Sequence, residues 1–165
     1  SLRRQRQMCI RDRNKRLLIV YYSGTGNTRK MAEEIGEGAR SVGVNVEILR
    51  AEECSIEDLA SADGIVIGSP TYFSNVAWQI KKLIDESISL YGSRRLKGKV
   101  GGCFTSSGTR RDGEECIRMI ELAFGYHHGM RMIPGIIRAS GDDEEKVSRI
   151  CREYGERIAK RILKE

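Results

Sequence analysis

Histidine occurs at only two positions of this 165-residue chain, the adjacent His127 and His128, and proline at only two, Pro70 and Pro134. So sparse a histidine content argues against a His-rich metal site. The cysteines do not supply one either. Apart from Cys9 in the basic N-terminal stretch, Cys54, Cys103, Cys116 and Cys151 form no C-x-x-C pair and match no zinc spacing, so the expectation is reduced thiols near the core of a cytoplasmic protein, with no metal. No apolar run approaches the ~20 residues that a membrane span needs. No apolar h-region follows the basic start, so no signal peptide is expected. G-x-x-x-x-G-K-[ST] is absent, which excludes a Walker loop, and G-x-S-x-G is absent, which excludes a hydrolase elbow. With 39% apolar and 32% charged residues, and no internal repeat or linker, the chain reads as one globular domain.

A large charge of one sign is missing from most of the chain. The net charge is +6, but residues 1–13, "SLRRQRQMCIRDR", carry +4 of it and the remainder only +2. Within that arm "RRQRQMCIRD" resembles the in-frame translation of a sequencing-library transposon adapter over ten consecutive residues. Residues 1–14 are therefore read as a non-native, disordered arm, with the domain at 15–165. The rival reading is a basic arm that binds nucleic acid. With the arm set aside, no nucleic-acid partner is expected.

What is present is an alternation of apolar runs and helical stripes. "KRLLIVYYS" (15–23), "VNVEIL" (44–49), "DGIVIGS" (63–69), "KVGGCFTSS" (99–107) and "MRMIPGII" (130–137) read as strands, the last at an edge because of Pro134. Between them lie helices. Met31, Ile35, Ala39 and Val42 form the first, ended by Gly43, and "SIEDLASA" the second, with Ser55 as N-cap. Val76, Ile80, Leu83, Ile84 and Ile88 mark the third, and residues 113–125 the fourth, after a loop "TRRDGEE". Val147, Ile150, Cys151, Tyr154, Ile158 and Ile162 mark the last. Trp78, on the third helix, reads as core. Strict alternation predicts an α/β three-layer fold: a five-stranded parallel sheet in order 2-1-3-4-5 with helices on both faces. Ligands then bind beyond the carboxyl ends of the strands, so "SGTGNT", "SPTYFSN" and "SSGTRRDG" should carry function.

"SGTGNT" opens a helix, so backbone N–H groups and the helix dipole face whatever sits there. Gly24 and Gly26 allow close approach, and Ser23, Thr25 and Thr28 offer hydroxyls. The alternative is a tight turn capped by Asn27 or Thr28. A dinucleotide fingerprint fails because Arg29 stands where its third glycine belongs. A phosphorelay receiver fails for want of acids after the first strand and an Asp ending the third. A low-molecular-weight tyrosine phosphatase fails for want of a Cys after the first strand.

"SGTGNT" resembles the FMN-phosphate loop of the flavodoxin superfamily. "DGIVIGSPTYFSNVAWQIKKLID", "LKGKVGGCFTSSGTRRDGEE" and "YHHGM" resemble the tryptophan-repressor-binding-protein type of NAD(P)H:quinone oxidoreductase, a flavodoxin-like branch. The likeness runs from residue 16 to about 137. It implies that Ser23, Gly24, Thr25, Gly26, Asn27 and Thr28 hold the FMN phosphate. Pro70, Thr71, Tyr72, Phe73 and Asn75 line one edge of the flavin ring. Ser106, Ser107, Gly108 and Thr109, reaching Gly113, line the other, and His128 sits near the flavin. The resemblance singles out no catalytic residue. The chain lacks the extra segment that these reductases carry before their last helix.

Two functions fit: NAD(P)H-dependent reduction of a quinone-like small molecule, or one-electron transfer between redox protein partners. The third loop has no aromatic residue, which leaves a ring face open to a nicotinamide, and Arg110 and Arg111 could attract its phosphates. The near-neutral domain also lacks the acidic field of an electrostatically docking carrier. The reading is therefore a reductase using FMN and NAD(P)H, with a homodimer expected from the resemblance.

Overall fold

The computed structural model describes residues 15–165, so the N-terminal arm lies outside the described residues. Strands β1 (Arg16–Tyr21), β2 (Asn45–Arg50) and β3 (Gly64–Tyr72) come first, and a two-residue strand β4 (Asn75–Val76) folds back antiparallel on the end of β3. Then come β5 (Val100–Ser107) and two short pieces, β6 (Arg131–Met132) and β7 (Ile136–Ala139), which both pair with β5. The order is β2-β1-β3-β5, then β6 and β7 at the edge, with all the long pairings parallel. Counting β6 and β7 as one broken strand gives the expected 2-1-3-4-5.

Among the described residues six α-helices flank the sheet: α1 (Asn27–Val42), α2 (Ile56–Ser61), α3 (Trp78–Glu86), α4 (Ile88–Tyr91), α5 (Arg110–Glu121) and α6 (Glu144–Lys164). Successive residues of a strand point to opposite faces. Leu17 and Ile19 accordingly pack with Met31, Ile35, Tyr154 and Ile158 under α1 and α6. Leu18 and Val20 pack with Leu59, Ile80 and Ile120 under α2, α3 and α5. Burial on both sides is why β1 is an unbroken apolar run rather than an alternating one.

The edge strand breaks at Pro134, which has no N–H to give the ladder. Next to the break, the Cys103 N–H of β5 donates instead to the Tyr154 hydroxyl (2.9 Å), which donates in turn to the Ile133 carbonyl (3.0 Å). One phenol thus closes the gap from the last helix. Tyr154→Phe leaves that buried N–H unpaired and is expected to cost about 1–3 kcal/mol in a urea unfolding series.

Three local expectations are corrected. "TRRDGEE" is not a loop: α5 starts at Arg110 because Thr109 caps it, accepting from the Asp112 N–H at 3.2 Å. The third helix stops at Glu86, where the buried Ser87 hydroxyl donates back to the Ile84 carbonyl, and Ile88 on α4 is exposed rather than core. Trp78 is 68% exposed, in the first turn of α3 and off the Ile80–Leu83 stripe.

Candidate functional site: a cradle at the carboxyl edge of the sheet

Three loops meet where β1, β3 and β5 end. The first, Ser23–Thr28, is held by its own hydroxyl: Ser23 Oγ accepts from the Gly26 N–H (3.1 Å). Gly26 stands at the N-cap of α1 in the left-handed region (φ 101°), which glycine adopts without strain. Neither Asn27 nor Thr28 caps the helix: no side chain does, and its first turn holds no acid. By contrast α2, α5 and α6 are capped by Ser55, Thr109 and Asp143. α3, whose N-cap is Ala77, also lacks a side-chain cap and a first-turn acid, but only α1 opens at the meeting of the three loops, with its first N–H groups free of a side-chain acceptor. Gly24 lies under Tyr72: a Cβ there would come 2.7 Å from the tyrosine hydroxyl.

The second loop is a hairpin. β3 runs past its expected end through Pro70 and Thr71 to Tyr72, and Asn75 of β4 pairs back on Tyr72. Phe73 and Ser74 fill the two-residue turn with φ 51° and 63°, the type I′ geometry that normally calls for Asn or Gly. Phe73 is fully exposed at the tip and Tyr72 is half exposed, so neither is core. Ser74 Oγ donates to Asp112 Oδ1 (2.9 Å), which ties the hairpin to the first turn of α5.

The third loop, Ser106–Thr109, is stitched to the other two. Ser106 Oγ and the buried Thr28 Oγ1 lie 2.8 Å apart, and Thr105 Oγ1 and Thr71 Oγ1 2.7 Å apart. Gly108 and Thr109 are exposed. The Ser107 hydroxyl is buried and has no partner among the described residues. Gly113 is not on the rim. It is buried against the sheet, where a Cβ would meet Ile137 at 2.7 Å, so its role in this structure is close helix–sheet packing.

His128 does not join the cradle. α5 and the π-turn Leu122–His127 carry the chain back to the opposite end of the sheet, where Arg131 pairs with Val100 at the start of β5. The ring loop leaves the other end of that strand, about 23 Å away at ~3.3 Å per residue. There His128 is 6% exposed, stacks on Phe124 (5.8 Å between centroids) and binds Ser87 Oγ through Nε2 at 2.8 Å. Burial, then the Arg94 and His127 charges, push its pKa below the usual histidine value. The unfolded chain thus takes up a proton that the fold resists, so this contribution to stability is lost as pH falls through the ordinary histidine range. His128→Gln is expected to flatten the fall in urea midpoint between pH 7.5 and pH 5.5, in proportions set by that one group.

The Arg110–Arg111 pair is split. Arg110 is bound to Asp142 (2.8 Å), whose carboxyl is held below its usual range first by the Ala139 N–H and then by Arg110. Arg111 is exposed and makes no ion pair among the described residues, so it is the cation left over beside the third loop. Among the described residues no thiol is poised as a nucleophile: burial pushes Cys54 and Cys151 up to about 12 and Cys103 and Cys116 upward. Among the described residues no three His, Cys, Asp or Glu side chains gather as metal ligands, and no helix is long and apolar enough to cross a membrane.

Comparison with known proteins points the same way as this geometry. The profile of the NADPH-dependent FMN reductase family matches residues 16–145. An NAD(P)H dehydrogenase (quinone) of Cupriavidus metallidurans is 33% identical over 138 residues, covering 72% of this chain and 69% of that one. A flavodoxin of Aquifex aeolicus is 33% identical over 159 residues, covering 87% and 85%. Among solved structures, a WrbA-like flavodoxin of Agrobacterium tumefaciens superposes with a TM-score of 0.79 at 29% identity, over 92% of this chain and 99% of that one. The flavodoxin of Megasphaera elsdenii superposes with a TM-score of 0.72 at 31% identity, over 87% and 98%. The chain has the flavodoxin-like fold and belongs to the NADPH-dependent FMN reductase family.

Proposed function

We propose that this protein binds FMN in the three-loop cradle and catalyses the NAD(P)H-dependent reduction of a quinone-like acceptor. The observation that carries the reading is the uncapped, acid-free start of α1, opposite an exposed aromatic hairpin and a loop without aromatics. The residues fit the cofactor. The first-turn N–H groups of α1, with the Ser23, Thr25 and Thr28 hydroxyls, suit a phosphate. The backbone of Pro70–Phe73 and of Ser106–Thr109, with the unpartnered Ser107 hydroxyl, suits the polar edge of a flat ring.

Bound FMN would supply the hydride- and electron-accepting ring. The chain's own part is to hold and expose it. Thr28 and Ser106 join the phosphate loop to the ring loop, so the two halves of the ligand are positioned by one rigid edge. Tyr72 and Phe73 would cover one ring face and keep water from it. The absence of an aromatic on the third loop leaves the other face to the nicotinamide, with Arg111 available to its phosphates.

The test is anaerobic mixing of the FMN-loaded protein with NADPH or NADH. The reading expects prompt loss of the flavin's visible absorbance and its return on adding a quinone. A flavin that stays oxidised with both nucleotides, yet accepts electrons from a reduced protein partner, would instead assign the chain to electron carriers.

A further inference from the structure

Arg138 belongs to none of the three loops, yet its side chain lies against the start of α1. In β7 it is in register with Ser106, so the two side chains leave the sheet on the same face. On that face Ser106 meets Thr28, in the first turn of α1. Arg138 also shares a narrow crevice with Asn27, the first residue of that helix, and with Lys30 and Glu144. Glu144 Oε1 accepts from the Arg138 guanidinium, and Glu144 Oε2 accepts from Lys30 Nζ at 3.3 Å. The Arg138 side chain is only 17% exposed, against 52% for Glu144 and 59% for Lys30.

Among the described residues the Arg138 charge is met only by a carboxylate that it shares with Lys30. Two cations share one carboxylate, and a guanidinium does not lose its proton. Glu144 already sits in the first turn of α6, where the helix dipole favours an acid without help from arginine. The other acid of the crevice, Glu34, lies two turns along α1, ~10 Å from its start. A half-exposed ion pair contributes little to stability, so it does not explain a cation held this far out of water. An anion of charge near −2 at the start of α1 does.

We propose that Arg138 is the cationic arm of the phosphate cradle, a specificity-determining residue for phosphorylated over unphosphorylated flavin, and that Glu144 sets its strength. The proposal rests on the FMN reading above. Arg138 acts through its charge on the phosphate end, at the start of α1. The family-typical loop of dipoles and hydroxyls is thereby reinforced by a full charge arriving from the edge strand.

The experiment is titration of the ligand-free full chain with FMN and with riboflavin, followed by flavin fluorescence. Arg138→Gln is expected to weaken FMN roughly tenfold, to leave riboflavin unchanged and to reduce the salt dependence of FMN binding. Arg138→Lys keeps most of the preference. Glu144→Gln is expected to tighten FMN several-fold and to leave riboflavin unchanged, the opposite sign from the loosening that loss of a structural ion pair brings. An unchanged FMN-to-riboflavin ratio in Arg138→Gln, or weaker FMN binding in Glu144→Gln, overturns the proposal. If Arg138→Gln fails to fold, the sign of the Glu144→Gln effect decides. A wild-type protein that binds neither flavin overturns the FMN reading itself, and this inference with it.

Discussion

Asn27→Asp lowers FMN affinity by roughly 100-fold or more while making the ligand-free protein more stable. Position 27 opens α1, whose N-terminus has neither a capping side chain nor an acid. An aspartate there meets the positive end of the dipole and gains about 0.3–1 kcal/mol for the empty fold. The same carboxylate would face the phosphate proposed at this site, of charge near −2, and like charges a few ångströms apart, partly shielded from water, repel by several kcal/mol. Riboflavin, which has no phosphate, keeps its affinity. Thermal melts of the ligand-free protein and paired titrations with the two flavins check all three parts. A variant that binds FMN as well as wild type would place the phosphate elsewhere.

Phe73→Asn produces the complementary pattern: a more stable protein that holds both flavins about tenfold less tightly, the loss of one aromatic contact. Phe73 occupies a left-handed turn position with φ 51° and is fully exposed, so the empty fold gains nothing from its ring. Asparagine takes that conformation more readily, and relief of the strain is worth about 1 kcal/mol. Strain retained at an exposed aromatic tip is what the proposed ring contact would account for. If the tip faces the ring and not the phosphate, as proposed, FMN and riboflavin weaken by the same factor. A loss confined to FMN would contradict that placement, and unchanged affinity for both would show that the hairpin does not touch the flavin.

The three loops were legible because they follow strands. Once β1, β3 and β5 are recognised as parallel apolar runs, their ends share one edge, and Ser23–Thr28, Pro70–Asn75 and Ser106–Thr109 must meet there. The same rule contained the correction for His128. It precedes a strand, and the entry of a parallel strand lies at the opposite edge, so the order of motifs along the chain does not bring it to the cradle of its own chain. The start of α5 was hidden by "RRDG", which has the composition of a turn, although Thr109 and Asp112 stand at capping spacing. The hairpin was hidden for a different reason. Its turn carries Phe and Ser where type I′ geometry favours Asn and Gly, so β4 left no local signal. Arg138 could not be found from periodicity, because its meaning comes from the register with Ser106 across β5 and β7.

The central claim is that the first turn of α1 receives the phosphate of FMN, and a crystal structure of the FMN-loaded protein tests it most directly. Phosphate oxygens are expected within hydrogen-bond reach of the N–H groups of Asn27, Thr28 and Arg29, with the ring between the Tyr72–Phe73 hairpin and Ser106–Thr109, and the same chain's His128 remote from both. A flavin bound beside Ser87 and His128, or a phosphate away from the start of α1, would contradict it.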